Sequence, residues 1–144
     1  MSTLERAIQI AALAHAGQID KAGQPYILHP LRVMLRVQEE HERVAAVLHD
    51  VVEDTAVTLS QLAAEGFAPQ VIDAVEALTK RPGETRLEAA ARAATNNIAR
   101  VVKLADNAEN MDISRIAKPT DKDFARLEEY KAVRILLQAQ DVAT

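Results

Sequence analysis

The stretch His41 to Thr55, HERVAAVLHDVVEDT, constrains the fold of this chain more than any other part of the sequence. Its apolar residues recur at the i, i+3, i+4 and i+7 spacing that places side chains on one face of a helix. These residues are Val44, Val47, Leu48 and Val51. We therefore expect one continuous amphipathic helix over residues 41–55, with this apolar stripe buried.

The other side of the expected helix is acidic. A rotation of about 100° per residue places His49, Asp50, Glu53 and Asp54 on one arc that faces away from the apolar stripe. Carboxylates at i, i+3 and i+4 repel one another by about 0.2–0.5 kcal/mol per pair. Two interpretations follow. The arc is either a solvated acidic surface or a divalent cation site, in which the positive charge converts this repulsion into coordination.

The composition favours a helical protein. Hydrophobic residues make up 49% and charged residues 26% of 144 residues, and alanine and leucine supply most of the apolar content. These residue types favour helices over strands, and no stretch shows the strict alternation of a strand. A chain of this length is typical of one compact domain. We therefore predict an all-α fold of seven or eight helices in a single domain, residues 1–144.

Charge and residue usage also exclude several classes of partner. Without cysteine, a metal must be held by imidazole and carboxylate groups. A net charge of −4 without a basic run argues against binding to a nucleic-acid polymer. No apolar run reaches the length of a membrane span, and the N-terminal MSTLER lacks the organisation of a signal peptide. These features predict a soluble cytoplasmic protein that does not bind a membrane.

Helix boundaries can be predicted from capping patterns. Ser2 and Glu5 have capping-box spacing at the start of a helix expected to run to His15. Pro30 suits the first position of the next helix, which places His29 at its N-terminal boundary. Two further capping boxes are predicted, one at Thr58 with Gln61 and one at Thr85 with Glu88.

The segment NIARVVKLADNAENMD, residues 97–112, carries two unusual acids. Asp106 lies at the margin of its apolar stripe and Glu109 lies inside that stripe. A carboxylate on an apolar face is costly unless it is paired, so both acids are candidates for a buried polar site. The alternative is that the helix frays before Glu109. The last helix is expected over Asp121 to Gln140, with Phe124, Leu127, Val133 and Leu137 buried.

Four of these residues suit a metal site. His29, His49, Asp50 and Asp106 form a plausible set of ligands for Mn²⁺, Fe²⁺, Co²⁺ or Zn²⁺, with room left for water. Magnesium alone prefers a shell made only of oxygen. A bound cation lowers the pKa of a coordinated water and polarises a phosphoryl oxygen. Glu53 and Asp54, one turn further on, could orient that water or move its proton.

Five pieces of the sequence, AHAGQ, PYILHP, VLHDVVEDT, ALTK and KLADNAENM, resemble a known family. In this order and spacing they are similar to the HD-domain hydrolases of the RelA/SpoT type. These enzymes remove the 3′-pyrophosphate of the alarmones guanosine tetra- and pentaphosphate in the stringent response. The resemblance runs from about Ala11 to Leu137. It implies a stand-alone small alarmone hydrolase, since 144 residues leave no length for a synthetase domain.

The resemblance also implies roles for individual residues. One metal, usually manganese, would be held by His29, His49, Asp50 and Asp106. Glu53 and Asp54 would be the catalytic acids that handle the attacking water. Contacts with the nucleotide substrate are implied at Lys21, Tyr26, Asn110 and Arg126.

This chain departs from the family pattern at three positions. Asp20 stands where the family has an arginine that stacks on the guanine base, and Asn107 and Glu109 replace residues that are commonly basic, aromatic or histidine. These departures keep a second hypothesis open, a phosphohydrolase that acts on another nucleotide or dinucleotide phosphate. A third hypothesis is a non-catalytic helical module that binds a nucleotide or a protein.

Overall fold

A computed structural model describes residues 2–143 of the chain, with side chains described for residues 2–139. Nine α-helices and no strand beyond one isolated bridge occur in residues 2–143, which confirms the predicted all-helical fold. The helices are α1 (Leu4–Ala14), α2 (Leu28–Leu35), α3 (Glu40–Leu48), α4 (Val51–Asp54), α5 (Leu59–Ala64), α6 (Pro69–Leu78), α7 (Arg86–Ala93), α8 (Asn97–Asn110) and α9 (Asp121–Ala143). Met1 and Thr144, the ends of the predicted domain, lie outside the described residues.

Helix α3 is the central element of the fold. It packs against α1, α2, α6 and α8. Its apolar residues divide between two clusters. Val44, Val47 and Leu48 face α1, α5 and α6. Ala45 and Ala46 instead pack with residues of α2, α6, α7 and α8. Within residues 2–143, no helix has both the length and the apolar character needed to cross a bilayer.

The predicted central helix is interrupted, which corrects the expectation of one continuous helix over residues 41–55. Helix α3 ends at Leu48 and α4 begins at Val51, so His49 and Asp50 form the junction between them. The backbone N–H of His49 bonds the Ala46 carbonyl three residues back, at 3.5 Å, as the chain tightens. Counting α3 and α4 as the one predicted helix gives eight helices.

Capping residues set most helix starts as the sequence predicts. Thr58 and Thr85 each accept a backbone N–H from the third residue of the following helix, and Gln61 and Glu88 complete the two capping boxes. The prediction for Ser2 is wrong by one residue. The N-cap of α1 is Thr3, whose hydroxyl accepts from the backbone N–H of Arg6.

The structure also tests the predicted end of α8 and the predicted buried face of α9. Helix α8 continues through Glu109 to Asn110, so it does not fray before Glu109. Glu109 is buried and paired with Arg36 at 2.8 Å and Arg32 at 3.3 Å, which supplies the partner charge that a buried carboxylate needs. In α9, Val133 and Leu137 are buried as predicted, whereas Leu127 is only half-buried and Phe124 is 50% exposed. The apolar cluster that α9 shares with α7 contains Val133 and Leu137 and neither of the other two.

The connection between α1 and α2 is a small hairpin and not an irregular loop. Asp20 and Tyr26 donate their backbone N–H groups to the carbonyls of Gln24 and Gln18, at 2.8 and 2.9 Å. Gly23 makes the turn with a φ of 80°, a conformation that residues with a Cβ rarely adopt. This hairpin forms one wall of a cavity of about 510 Å³.

Candidate metal centre

Two imidazoles and two carboxylates from three segments meet at the junction between α3 and α4. His29 in the first turn of α2 places Nε2 2.8 Å from Oδ1 of Asp106 on α8. His49 places Nε2 3.4 Å from the same oxygen and 3.0 Å from Oδ2 of Asp50. All of them except Asp50 are buried. The structure therefore brings together the four residues predicted as ligands, while their role as ligands stays a prediction.

The orientation of the His49 ring fits a metal ligand. Its Nδ1 lies 2.5 Å from the carbonyl oxygen of Ala46, and because a carbonyl only accepts, Nδ1 must carry the proton. In the neutral ring, Nε2 is then an unprotonated acceptor that faces two carboxylates. This buried Nε2 makes no hydrogen bond. A divalent cation between these groups would satisfy the imidazole and the carboxylates together.

Charges at the centre are strongly coupled. Burial alone would lower the pKa of His49, but Asp50 and Asp106 outweigh it and raise that pKa well above its usual value. Burial would likewise raise the pKa of Asp106, yet Lys103, His29 and His49 hold it well below the usual range. The carboxylates are therefore charged, as metal ligands must be, and a cation at Nε2 of His49 would replace the proton that these charges favour there.

Outer contacts orient the two carboxylates. The Tyr26 hydroxyl donates a short hydrogen bond to Oδ2 of Asp50, and burial, followed by the Asp50 charge, raises the Tyr26 pKa. On the other side, Asn110 donates from Nδ2 to Oδ1 of Asp106 at 3.2 Å, and the Lys103 ammonium lies 3.3 Å from Oδ2. In this structure Tyr26 and Asn110, which the resemblance assigns to the substrate, contact the acids of the centre.

The two predicted catalytic acids lie next to the centre on α4. Together with Asp50, Glu53 and Asp54 have carboxylate oxygens within 4.8 Å of one another. Oε1 of Glu53 accepts from the backbone N–H of Lys80 at 2.7 Å, which fixes the side chain. Loss of solvent, followed by the charges of Asp50 and Glu53, raises the pKa of Asp54 to about 6.

All these groups open into one cavity of about 510 Å³. Lys21 of the hairpin and Arg126 of α9 both line it. Burial, followed by the charge of Arg126, lowers the pKa of Lys21. The Arg126 guanidinium donates to Asp123, which also accepts the backbone N–H of Thr120 at the start of α9. Both predicted basic residues are therefore in position to meet an anionic ligand in this cavity.

Sequence reasoning missed several residues that line the same cavity. Lys103 precedes Asp106 by three residues on one helix, so its spacing was a usable signal. Arg86 and Tyr130 could not be found in this way, because their stacking contact, 4.6 Å from guanidinium carbon to ring centroid, joins α7 to α9. The other lining residues that carry charge and were not assigned are Lys80, Arg115, Asp112 and Asp123.

The helical fold and this centre define the class of the protein. The family model described as HD domain matches residues 7–129, and the chain belongs to that family. Its curated relatives include the guanosine-3′,5′-bis(diphosphate) 3′-pyrophosphohydrolase of Haemophilus influenzae. That relative is 41% identical over 116 residues, which cover 71% of this chain and 17% of the relative.

Two further relatives extend the match. The probable GTP pyrophosphokinase of Mycobacterium leprae is 36% identical over 132 residues, 83% of this chain and 17% of that protein. The bifunctional (p)ppGpp synthase/hydrolase SpoT of Escherichia coli is 35% identical over 123 residues, 75% of this chain and 17% of that protein. The chain thus spans less than a fifth of the length of these curated relatives.

A solved structure described as a metazoan ortholog of SpoT that hydrolyzes ppGpp has a similar fold. The TM-score is 0.79 at 25% sequence identity, and the match covers 97% of this chain and 85% of that chain. The resemblance of the sequence to the RelA/SpoT-type HD domains is thereby confirmed.

Proposed function

We propose that this chain is a metal-dependent hydrolase that removes the 3′-pyrophosphate of guanosine tetra- and pentaphosphate. The observation that supports this most directly is the convergence of His29, His49, Asp50 and Asp106 on one point of a cavity. The same cavity is lined by Glu53, by Asp54 and by several lysine and arginine side chains. Relatives with this chemistry in their names cover most of the chain. We also place the activity in the cytoplasm, where a charged nucleotide that cannot cross a membrane unaided is made and consumed.

The metal in this proposal is manganese. Two imidazole nitrogens with two carboxylates suit Mn²⁺ and other transition metals, whereas Mg²⁺ favours a shell made of oxygen alone. When bound, such a cation lowers the pKa of a water and polarises a phosphoryl oxygen. His49 contributes an Nε2 held in place through Nδ1, and Tyr26 and Asn110 orient the carboxylates of Asp50 and Asp106.

The reaction itself is assigned to Glu53 and Asp54. Hydrolysis adds a water oxygen to the phosphorus next to the ribose 3′ oxygen and breaks the bond between them. Glu53, fixed by the Lys80 backbone, orients the water, and Asp54 accepts its proton. The departing 3′ oxygen takes up a proton and becomes the ribose hydroxyl of GDP. The pKa of Asp54, raised to about 6, lies closer to neutral pH than that of an ordinary carboxyl group. Such a pKa suits a group that takes up a proton and releases it again.

The cations of the cavity are assigned to the phosphates. A guanosine tetraphosphate carries two pyrophosphate groups, and its charge has to be balanced inside a site that also contains carboxylates. Lys21 and Arg126 line the cavity from opposite ends of the chain, with Lys80 and Arg86 between them in sequence. Arg126, which is held by Asp123, offers guanidinium donors in a fixed geometry for phosphate oxygens.

The second candidate function, hydrolysis of another nucleotide phosphate, is favoured by one observation. Asp20 places a carboxylate at the cavity wall, where it would repel a phosphate. If this candidate is correct, Asp20→Arg should shift preference toward guanosine alarmones. A binding module without catalysis remains the third candidate, and it would keep its cellular function in a Glu53→Gln variant.

The test is hydrolysis by the purified, manganese-loaded protein. We expect release of pyrophosphate together with GDP from guanosine tetraphosphate, measured by chromatography of the nucleotides. A panel of other nucleotides under the same conditions distinguishes the first two candidates. No pyrophosphate release, with the metal confirmed by elemental analysis, would end the proposal.

Two variants separate metal binding from chemistry. Glu53→Gln supplies an amide oxygen that can still accept the Lys80 N–H. This variant should therefore retain manganese and lose about 100-fold or more in turnover. Asp106→Asn removes a ligand charge and should lose manganese as well. Equal loss of metal in both variants would contradict the separate roles assigned to these residues.

A further inference from the structure

A chain of ion pairs leads from the back of α8 to the cavity. Arg36 and Arg32 both contact the buried Glu109, through Nε atoms at 2.8 and 3.3 Å. Nη2 of Arg32 then lies 3.8 Å from Oδ2 of Asp20, and Nη1 of Arg115 lies 3.3 Å from the same oxygen. Of these five residues, Asp20 and Arg115 line the cavity. Glu109 and Asp20, two of the departures from the family pattern, thus belong to one network.

Asp20 is the fixed point of this network. Its Oδ1 accepts the backbone N–H groups of Ala22 and Gln24, both at 2.9 Å. Its Oδ2 faces Arg32 and Arg115. These backbone N–H bonds and Arg115 outweigh burial and lower the pKa of Asp20, so the carboxylate is charged. The backbone of the hairpin therefore fixes the Asp20 carboxylate, and this carboxylate in turn orients Arg115.

A local turn presents Arg115 to the cavity. Asp112 accepts the backbone N–H of Ser114 at 3.0 Å, and the carbonyl of Ile113 accepts the N–H of Ile116 at 3.0 Å. The side chain of Arg115 remains 34% exposed although its partner is only 13% exposed. Nη1 of the guanidinium is thus on Asp20, and part of the Arg115 side chain remains accessible to a ligand.

Apolar side chains accompany this arginine on the cavity wall. Ile113 and Ile116 flank Arg115 in its turn, and Ile19 precedes Asp20 in the hairpin, and all three line the cavity. The contact between Asp20 and Arg115 brings these two segments together. A planar cation beside aliphatic side chains suits a flat heteroaromatic ring, because a guanidinium stacks on such a ring and donates to its acceptor atoms.

We propose that Arg115, oriented by Asp20, contacts the nucleobase of the substrate and that Ile19, Ile113 and Ile116 line the same subsite. This inference rests on the proposed function in so far as a nucleotide occupies the cavity. Arg115 is a specificity-determining residue, and Asp20 is a positioning residue that acts through it. Phosphate recognition is left to Lys21, Arg126 and the other cationic side chains that line the cavity.

The test compares a ligand that has a base with one that has none. In the manganese-loaded protein, Arg115→Ala should raise KM for guanosine tetraphosphate and Kd for GDP about tenfold. kcat and the inhibition constant of inorganic pyrophosphate should stay within about twofold, since pyrophosphate has no base. Asp20→Asn keeps an oxygen for the hairpin N–H groups and should raise the same KM by a smaller factor.

Controls guard against a merely structural effect. Arg6→Ala removes an arginine of similar exposure that pairs with Glu65 outside the cavity lining, and it should leave every constant unchanged. If Arg115→Ala does not fold, Arg115→Lys keeps the charge and loses the planar group, and an increase in KM for that variant supports the proposal. Equal weakening of GDP and pyrophosphate, or unchanged GDP affinity, would overturn it.

The hydrolase proposal and this inference fail separately. GDP binding that depends on Arg115, in a protein that does not hydrolyse guanosine tetraphosphate, supports the subsite and removes the proposed reaction. Hydrolysis with KM and GDP affinity independent of Arg115 does the reverse. Absence of any GDP binding by the unmodified protein also overturns the subsite.

Discussion

At the scale of single residues, the backbone decides what His49 presents to the centre. The Ala46 carbonyl accepts from Nδ1, so a neutral ring has only Nε2 left as a donor of electrons. The sequence predicts that the imidazole of His49 belongs to the metal centre. It could not predict which ring nitrogen faces Asp50 and Asp106, because that follows from a carbonyl three residues earlier at the end of α3.

A second residue pair connects α7, the end of α6 and the segment between these two helices. Arg92 on α7 donates to both oxygens of Glu84, at 2.9 and 3.0 Å, and to the carbonyl of Thr79 just beyond α6, at 2.6 Å. It satisfies a backbone group that the end of α6 leaves without a helical partner. The hydrogen bond from Arg92, followed by that from the Arg81 backbone, lowers the pKa of Glu84 to about 2.

This pair predicts a pH-dependent contribution to stability. A carboxyl whose pKa falls on folding stabilises the protein above its unfolded pKa, near 4.5, and loses that contribution as the pH falls toward about 2. Glu84→Gln should therefore lower Tm at pH 7. The Tm values of the two proteins should converge as the pH is lowered from about 4.5 to about 2, in thermal unfolding followed by circular dichroism.

Glu128→Gln is the matched control for this prediction. Glu128 has an exposed carboxylate that contacts Lys131, also exposed, on α9. Exposed pairs contribute little, so its Tm should follow that of the unmodified protein at every pH. A Tm difference for Glu84→Gln that is constant from pH 7 to pH 2 would show that the carboxylate charge is not responsible.

At the scale of helices, small side chains determine how closely α3 and α8 approach. Ala45 and Ala46 of α3 and Ala99 of α8 are fully buried in the same cluster as Val102. Because alanine ends at Cβ, the two helix backbones can lie near each other, and α8 can carry Asp106 to His49. The fit of this interface therefore controls the geometry of the metal centre.

Enlarging one of these side chains tests that connection. Ala46→Leu should cost about 1–3 kcal/mol of stability, because added methyl groups in a packed core force neighbours apart. It should also weaken manganese binding, since α8 would move away from the α3–α4 junction. Chemical denaturation and a metal-binding titration measure the two effects.

Ala63→Leu provides the comparison, because Ala63 is exposed on α5 and does not contact this interface. It should change neither quantity by more than about 0.5 kcal/mol. Loss of stability in Ala46→Leu with unchanged manganese affinity would mean that the spacing of α3 and α8 does not control the centre.

Most helices of this fold could be predicted from the sequence, because apolar spacing and capping residues act locally. The capping boxes at Thr58 and Thr85 are examples. The interruption at His49 and Asp50 could not be predicted, since the apolar spacing continues to Val51 without a glycine or proline. The exposure of Phe124 was also missed, because the apolar stripe of α9 does not show which of its positions other helices cover.

The candidate site was predictable to a similar extent. The unusual polar residues identified the four side chains of the centre, and the structure brings them together. The contact between Arg115 and Asp20 joins residues 95 positions apart in sequence. No local pattern indicates such a pair, and so the surroundings of the cavity could only be found from the fold.

At the scale of the whole molecule, the centre concentrates negative charge. Asp50 and Asp106 converge with Glu53 and Asp54 nearby. Asp106 comes from α8, whereas the other three come from the α3–α4 junction and α4. A bound cation would offset their repulsion and link α2, the α3–α4 junction and α8. Metal binding and folding stability are therefore expected to be coupled.

Metal removal tests this coupling. At a free manganese concentration 100 times Kd, binding should add about 2.7 kcal/mol to stability, which corresponds to roughly 5–10 °C in Tm for a chain of this size. Chelation should remove that increment, as measured by differential scanning calorimetry. In Asp106→Asn the same treatment should have little effect. Identical melting curves with and without chelator would contradict the coupling.

The junction between α3 and α4 has a consequence for interpreting other sequences. In an uninterrupted helix, two adjacent side chains diverge by about 100°, which holds their ligand atoms apart. Here the helix is interrupted at these two residues, and Nε2 of His49 lies 3.0 Å from Oδ2 of Asp50. A histidine–aspartate dipeptide inside an uninterrupted helix should therefore not be interpreted as a metal-binding pair until an interruption at that point is demonstrated.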